Sequence, residues 1–361
     1  MQLKHAATYK KKKQWLITKF KQKKMNELYP LKFKPILKEK IWGGQNLKRS
    51  LNKSIPLDKN IGESWEISGV ENNISLVQNG FLADNNLNEL IEIYMGDLVG
   101  DRVYEQFGLE FPLLIKFIDA NDKLSVQVHP DDELAKVRHN TFGKTEMWYV
   151  IDAEKDAELI SGFNHEMDKE HYLHHLNKNE ITRILNFEKV KAGDVFFIPA
   201  GRVHAIGSGI VLAEIQQTSD ITYRIFDWNR KDTDGNYREL HTDLAVDAID
   251  YKHYDTYRTE YKSERNVTTE IVKHKYFQTN ILEFDQQIEK NYNLLDSFVI
   301  YMCIDGEMEI IYNETKKTIV KKGETVLIPA EFEHLVLNPV VQCKLLEVYI
   351  PEPENEKTTP K

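Results

Sequence analysis

The chain has 361 residues, a formal net charge of -9 and 41% hydrophobic residues, an ordinary globular balance long enough for two domains. An acidic chain lacks the basic face that sequence-independent nucleic-acid binding needs, and no apolar run approaches the roughly 20 residues that span a bilayer. The two cysteines, Cys303 and Cys343, form no CxxC pair, so we expect no thiolate metal site and no disulfide framework, and a cytoplasmic location.

The two ends of the chain differ from the rest in composition. Residues 1–24 are rich in lysine and nearly free of acid, without the apolar core of about 7–15 residues that a secretion leader requires. We interpret them as a disordered or weakly helical extension, with a functional basic arm as the alternative. Residues 351–361 are rich in Pro and Glu and are typical of a disordered tail.

The first half of the chain predicts short strands around one helix. Residues 29–77 contain short β-like runs, and residues 61–68 alternate apolar and polar side chains with the period of a half-buried strand. An apolar stripe over residues 86–107 predicts a helix. Strands are then predicted over residues 111–118, which include a single lysine, and over residues 124–128 and 146–151.

Residues 168–186 are polar and predict a helix inserted between strands. His171, His174 and His175 fall on one face of that helix, a spacing that could bind a metal. The segment is highly charged and has no cleft context, so we favour a solvated helix.

An internal repeat organises the second half. Residues 191–200 (KAGDVFFIPA) are echoed by residues 321–330 (KKGETVLIPA), and His204 and His334 follow at equivalent positions. Self-similarity of this kind indicates a duplicated unit, and a glycine turn, a strand and a proline-led bend are typical of double-sheet barrels. Between the repeats we predict a helix over residues 237–251 and a charged linker over residues 256–268. The sequence therefore predicts a mainly β protein of two jelly-roll β-barrel domains with a few added helices, over residues 25–255 and 256–350.

The first repeat carries candidate metal ligands. Gln127 and His129 are two apart in a predicted strand and therefore point to the same side. Glu146 opens the next strand, and His204 follows the bend of the repeat. Two imidazoles, a carboxylate and an amide oxygen suit a zinc site, although the ligand types alone also admit Mn or Fe. Each residue taken singly is equally explained as an ordinary strand-end or loop residue.

The second repeat offers an internal comparison. It has His334, but residues 297–309 contain no histidine and no Gln-x-His pair. We therefore expect His334 not to bind metal, and the C-terminal barrel to be structural or to shape the substrate site.

Downstream of His204, Glu214 shares a strand face with Gln216, and Arg224 lies among apolar and aromatic neighbours. A cation in such surroundings requires an anionic partner. Arg224 and Arg230 could hold a phosphate, because guanidinium binds oxyanions through two hydrogen bonds. The alternative is a structural ion pair of Arg224 with Asp220 or Asp227.

Several long motifs resemble the class I mannose-6-phosphate isomerases of the cupin superfamily, especially the short bacterial form. They are LSVQVHPDDELA, GKTEMWYVID, IPAGRVHAIGSGIVLAEIQQTSDITYRIFDWNR and RELH, with WGG and GESWEIS near the start. The resemblance runs from about residue 29 to residue 350 and implies cupin-like barrels. It also implies a metal-dependent aldose–ketose isomerase that interconverts mannose 6-phosphate and fructose 6-phosphate through a cis-enediol.

The resemblance further implies one Zn²⁺ per chain, held at the positions of Gln127, His129, Glu146 and His204. Short bacterial members are often described without the glutamine ligand. The active-site arginine of the family falls on Arg224, and a basic residue six positions later is Arg230. Ser125 and Lys144 match positions that line the substrate pocket.

The proton-transferring base is not identified by the motifs, and Glu214 is our candidate because it lies near the ligand strand. We expect a sugar phosphate as the small-molecule partner and a monomer or weak homo-oligomer. The longer relatives carry an extra helical domain that this chain is too short to contain.

Three other functions remain as alternatives. A cupin Fe(II) dioxygenase usually offers more imidazoles than this chain does. A non-catalytic sugar-binding cupin would bind the sugar phosphate without converting it. A storage protein has no use for the set of metal ligands.

Overall fold

A computed structural model describes residues 27–231 and 235–353. The extension predicted over residues 1–24 and the tail after residue 353 lie outside these ranges. Within them the chain is mainly β-strand, which confirms the predicted fold class. No helix in the described ranges has the length and apolar character to cross a membrane.

Nineteen strands and seven α-helices are present in the described ranges. The strands are β1 Leu31–Lys32, β2 Ile36–Gly44, β3 Ile61–Ile67, β4 Leu113–Ala120, β5 Val126–Val128, β6 Glu146–Ala153, β7 Glu158–Phe163, β8 Leu185–Lys189, β9 Val195–Ile198, β10 His204–Ala205, β11 Ile210–Gln217, β12 Tyr223–Phe226, β13 Thr269–His274, β14 Phe277–Phe284, β15 Ile288–Asn291, β16 Val299–Tyr312, β17 Lys316–Lys321, β18 Thr325–Ile328 and β19 His334–Tyr349. The helices are α1 Asn46–Leu51, α2 Leu87–Tyr94, α3 Gly96–Val99, α4 Asp101–Phe107, α5 Asp132–His139, α6 Lys169–Asn177 and α7 Thr242–Ala248, with a 3₁₀ turn at Ile181–Arg183.

The strands form three antiparallel sheets. A six-stranded sheet has the order β2-β3-β4-β11-β6-β9, and a five-stranded sheet has the order β12-β5-β10-β7-β8. The third sheet has eight strands, with the path β1-β18-β16-β19-β14-β13 and with β15 and β17 added to β19 and β16. Because β1 pairs with β18, the start of the described chain belongs to the sheet of the C-terminal half. The domain limits at residues 255 and 256 stay a prediction.

Successive side chains along a strand point to opposite faces, and this alternation determines which residues lie between the six-stranded and the five-stranded sheets. On β11, Ile210 and Leu212 join an apolar cluster with Trp148 and Leu159, between the six-stranded and five-stranded sheets. Val211, on the same strand, points the other way, into the core shared with the C-terminal sheet. Successive strand residues face opposite sides, so Glu214 and Gln216 also point between the two sheets.

Helices cover the outer face of the five-stranded sheet. Tyr172 of α6 and Ala245 of α7 pack on Val126 and Val128 of β5. The helix predicted over residues 168–186 was too long, because α6 ends at Asn177 and the chain then forms the 3₁₀ turn and β8. The helix predicted over residues 237–251 is likewise confined to α7.

The prediction of one continuous helix over residues 86–107 was wrong. The segment is three short helices, α2 to α4, separated at Met95 and Gly100, which have φ angles of 48° and 92°. Gly100 lies against the backbone of Asp296, where an added Cβ would approach a carbonyl carbon at 2.6 Å. Because Asp296 is far from Gly100 in the sequence, the apolar stripe of residues 86–107 could not predict this break in the helix.

The repeat is reproduced in the strand register. Glu146 of β6 pairs with Ile198 of β9, and Val299 of β16 pairs with Ile328 of β18. Val299 therefore holds the place that Glu146 has in the first unit. His334, at the start of β19, is exposed to solvent.

The six-stranded and eight-stranded sheets share one continuous apolar core. Phe111, just before β4, contacts Phe298, just before β16, with ring centroids 4.7 Å apart. Both rings are fully buried. Aromatic pairs of this kind contribute about 0.5–1.5 kcal/mol beyond the area they bury.

We expect Phe298→Ala to lower the free energy of unfolding by about 3–5 kcal/mol, because it opens a cavity in this shared core. Urea unfolding followed by circular dichroism measures the change. The control is Leu294→Ala, since Leu294 is 94% exposed and its truncation should have little effect. Equal losses in the two variants would contradict the placement of Phe298 in the core.

Candidate metal centre and cavity

Three side chains from separate segments of the chain meet between the first two sheets. His129 follows β5, Glu146 begins β6 and His204 begins β10, and one ligand atom from each lies within 4.8 Å of the others. His129 is 1% exposed and the other two are fully buried. The structure thus brings together three of the four residues that the sequence singled out as metal ligands.

Backbone carbonyls fix the orientation of both imidazoles. Nδ1 of His129 lies 2.8 Å from the carbonyl oxygen of Ile221, and Nδ1 of His204 lies 2.8 Å from that of Arg202. A carbonyl can only accept a hydrogen bond, so each Nδ1 carries the proton and each Nε2 keeps a lone pair. Both Nε2 atoms lie 3.5 Å from an oxygen of Glu146. Metal-binding histidines are oriented in this way by their second nitrogen.

The carboxylate of Glu146 lacks hydrogen-bond partners within the described ranges. Both of its oxygens are buried and accept no hydrogen bond, although the Lys144 ammonium comes within 3.2 Å of Oε2. Leaving buried polar atoms unpaired costs about 1–3 kcal/mol each, more for a charged group. Two imidazole nitrogens and a carboxylate around one point fit a borderline divalent cation such as zinc.

Burial shifts the pKa of each member of the cluster. It raises the pKa of Glu146 to about 7, together with the nearby charge of Glu214. It lowers the pKa of His204 to about 3 and also lowers that of His129, beside Lys144. Both imidazoles are therefore neutral at physiological pH, which is the form that binds metal.

Gln127 lies at the edge of the cluster. It pairs with His204 in the strand register, and its amide nitrogen is 3.2 Å from Nε2 of His204. The amide nitrogen, not the oxygen, faces the imidazole in this arrangement. Ligation by Gln127 therefore stays a prediction.

A cavity of about 330 Å³ opens beside the cluster. Charged and aromatic side chains line most of it, and they come from both sheets and from the loops after β11 and β12. The lining residues are Lys40, Trp42, Glu63, Trp65, Lys116, Ile118, Leu124, Ser125, Gln127, Lys144, Ile206, Glu214, Asp220, Thr222, Arg224 and Arg238. The predicted residues Ser125, Lys144, Glu214 and Arg224 are among them.

Glu214 is held in a buried ion pair. Nζ of Lys116 lies 2.8 Å from Glu214 Oε1, and the indole of Trp148 donates to Oε2 at 2.9 Å. Burial raises the pKa of Glu214, but Lys116 and Lys144 outweigh that effect and hold it well below its ordinary value. The carboxylate is therefore ionised and only weakly basic.

The sequence analysis did not identify Lys116 as a site residue. A single lysine within the apolar run of β4 could have indicated it, because a buried cation needs an anionic partner. Besides Glu214, its ammonium donates to Gln216 Oε1 at 2.6 Å. Burial lowers the pKa of Lys116, but Glu214 and Glu63 raise it above its ordinary value.

Arg224 has a largely unused guanidinium. Its Nη1 donates to the carbonyl oxygen of Glu239 at 2.7 Å, while its Nε is buried without a hydrogen-bond partner in the described ranges. In those ranges Arg224 forms no ion pair with Asp220 or Asp227, so the alternative of a structural pair is not what the structure contains. Burial and the nearby Arg238 lower the pKa of Arg224.

Asp227 is bound by two other arginines. Arg230 lies 2.9 Å from Asp227 and 3.3 Å from Asp122, and it does not line the cavity. Arg238 also contacts Asp227, at 2.5 Å, and it does line the cavity. Sequence reasoning missed Arg238, although it opens the RELH motif. Assignment of Arg230 to substrate binding stays a prediction.

Two family models match the chain. They are "Phosphomannose isomerase type I, catalytic domain" over residues 30–192 and "Mannose-6-phosphate isomerase, cupin domain" over residues 267–350.

Curated relatives and solved structures agree with these models. Mannose-6-phosphate isomerase ManA of Bacillus subtilis is 38% identical over 87% of this chain and 97% of its own length. A mannose-6-phosphate isomerase of Streptococcus mutans is 42% identical over 61% of this chain and 67% of its own length. The crystal structure of a Bacillus subtilis mannose 6-phosphate isomerase superposes with a TM-score of 0.80 at 33% identity, covering 89% of this chain and 99% of that one. A putative mannosephosphate isomerase from Archaeoglobus fulgidus, at 21% identity and a TM-score of 0.71, shares the fold over 90% of this chain and 99% of its own.

We expect His129→Ala to lose bound metal, because it removes one of three ligands from a buried site. Metal content after zinc loading and desalting, measured by atomic emission, checks this outcome. His171→Ala serves as the control, because His171 is exposed on α6 and contacts Asp168 instead. Full zinc occupancy in the His129 variant would refute the ligand set.

Proposed function

The chain belongs to the type I phosphomannose isomerase family, and on that premise we propose that it interconverts mannose 6-phosphate and fructose 6-phosphate. The observation that carries the proposal is the buried cluster of two neutral imidazoles and one carboxylate, which is joined to the lining of a cationic cavity through Lys144 and Gln127. A sugar phosphate brings up to two negative charges and adjacent oxygens, which suit such a cavity. The reaction moves a proton between C1 and C2 through a cis-enediol.

We propose that zinc is the metal and that His129, Glu146 and His204 hold it. A bound zinc ion supplies Lewis-acid stabilisation of the substrate oxygens without redox chemistry, which suits a reaction with no net oxidation. The hydrogen bonds from Nδ1 to the two backbone carbonyls keep the imidazole rings oriented for this task.

The proton-transferring group that we propose is Glu214, which lies on the cavity wall. It accepts the proton from one substrate carbon and returns it to the neighbouring carbon. The low pKa of Glu214 makes it a weak base while Lys116 is bound to it, and we propose that Lys116 turns to a substrate oxygen as the proton is taken up, which raises the basicity of Glu214. The ammonium then gives a proton to that oxygen, which completes the cis-enediol, and regains a proton from the neighbouring hydroxyl as that group becomes the new carbonyl.

The phosphate end of the substrate is assigned to the arginines. Arg224 lines the cavity and has donors to spare, and Arg238 enters the same cavity while bound to Asp227. Arg230 supports this arrangement by sharing the Asp227 carboxylate. Ser125 and Lys144 contribute further polar contacts from the wall nearest the metal cluster.

Isomerase activity should disappear on chelation and return with zinc. The measurement is a coupled assay on purified protein with mannose 6-phosphate, before chelation, after it and after zinc is restored. A chain that binds mannose 6-phosphate but forms no fructose 6-phosphate in any of the three states would contradict the proposal. Oxygen uptake without isomerisation would instead favour a dioxygenase.

Arg224→Ala should keep its zinc but lower kcat/KM about 100-fold, because it removes a charged hydrogen-bond donor to the substrate phosphate. Metal content and steady-state kinetics together check this. Arg183→Ala is the matched control, because Arg183 is 70% exposed and paired with Glu180 on the surface. If the Arg224 variant loses zinc, the residue supports the fold and not the reaction.

A further inference from the structure

The turn between β13 and β14 reaches from the C-terminal sheet to the N-terminal half of the chain. Its Tyr276 donates a hydrogen bond from the phenol hydroxyl to Oδ2 of Asp132, at the start of α5. The other oxygen of Asp132 accepts from the backbone of Gly143 and from the side-chain amide of Gln217, each at 2.9 Å. Partial burial raises the pKa of Asp132, but these donors outweigh it and keep the carboxylate ionised as a triple acceptor.

Gln217 continues the network to the backbone beside the metal centre. Its side-chain Oε1 accepts from the backbone N–H of Thr145 at 2.9 Å, and its backbone N–H donates to the backbone carbonyl of Thr145 at 3.1 Å. Gln217 and Thr145 are 4% and 3% exposed. Asp132 and Gln217 therefore bind the backbone on both sides of Lys144.

The held segment, residues 143–146, carries two groups of the site. Its strand pairing begins only at Glu146, so residues before that point depend on contacts such as those with Asp132 and Gln217. Gly143 packs so tightly against α5 that an added Cβ would approach the backbone of Asp132 at 2.6 Å. A displacement of the segment therefore moves Lys144 and Glu146 together.

The metal centre tolerates only small displacements of Lys144 and Glu146. Nζ of Lys144 lies 3.1 Å from Nε2 of His129 and 3.2 Å from Oε2 of Glu146. Shifts of a few tenths of an ångström in the segment change these distances and the spacing of the metal-binding atoms. Supporting residues must hold a site within about 0.5 Å of its productive geometry.

We propose that Tyr276 is a positioning residue for the metal centre, acting through Asp132 and Gln217 on the segment that carries Lys144 and Glu146. A hydroxyl group from the C-terminal half of the chain thereby helps to position a metal centre whose three residues come from the N-terminal half. The predicted effect on turnover depends on the proposed isomerase function, whereas the predicted effect on zinc affinity does not.

The test is Tyr276→Phe, which keeps the ring and deletes the hydroxyl. We expect the dissociation constant for zinc, measured by competition with a chromophoric chelator, to rise about tenfold. In zinc-saturated protein, kcat should fall about tenfold while KM stays within about twofold, because the change disturbs the groups at the reacting end and leaves the arginines in place. Tyr261→Phe is the matched control, since its hydroxyl donates at 2.7 Å to the carbonyl of Gly193, away from this segment.

A second variant, Asp132→Asn, tests the same network from the N-terminal side. If the residues act as one unit, the double variant should be no worse than the more damaged single variant in zinc affinity and in kcat. The proposal is overturned if Tyr276→Phe matches Tyr261→Phe in both quantities, or if the effects of the two variants simply add. Should Tyr276→Phe fail to fold, Asp132→Asn against Tyr261→Phe decides by the same two quantities. A wild-type protein without isomerase activity would refute the proposed function and leave the zinc measurement as the test of Tyr276.

Discussion

The burial of one carboxylate among two neutral imidazoles is the constraint on which the site depends. Glu146 has no solvent contact, and in the described ranges the nearest cation is the Lys144 ammonium at 3.2 Å, so a metal ion between the two imidazoles would stabilise the buried carboxylate further. His129 and His204 cannot supply the charge, because burial keeps them neutral. The two facing sheets hold these three groups in place behind Lys144 and Gln127, which line the cavity.

The second unit of the repeat has the same strand pairing but lacks the counterpart of Glu146. In the register of β16 and β19, Tyr301 pairs with Glu347 just as Trp148 pairs with Glu214 in the first unit, and Val299 replaces Glu146. Glu347 is again buried and ion-paired, with Lys290 at 2.6 Å. The interior carboxylate is thus present in both units, and in the described part of the chain the group of residues able to hold a metal lies in the first unit.

The charge of the cavity lining is opposite in sign to the net charge of the whole chain. The protein carries a net charge of -9, yet lysines and arginines predominate over carboxylates on the cavity wall. Two of them, Lys116 and Arg238, are held by the carboxylates of Glu214 and Asp227. Such pairing keeps cations ordered in a partly dry site until an anionic substrate takes over their donors. A separate network, from Tyr276 through Asp132, connects the C-terminal domain to the backbone that carries Lys144 and Glu146.

The sequence by itself determined the mainly β class, the repeat and the inward side of the ligand strands, because alternation with period two is a local property. It predicted Gln127, His129, Glu146 and His204 as one set of ligands through the repeat and the family resemblance, and it offered Glu214 as a candidate because it lies near the ligand strand. Tertiary structure alone decided that helix 86–107 breaks at Gly100, that Arg238 and not Arg230 enters the cavity, and that Lys116 pairs with Glu214. Each of these depends on residues far apart in the chain, whose approach follows from the packing of sheets and loops and leaves no periodic trace in the sequence.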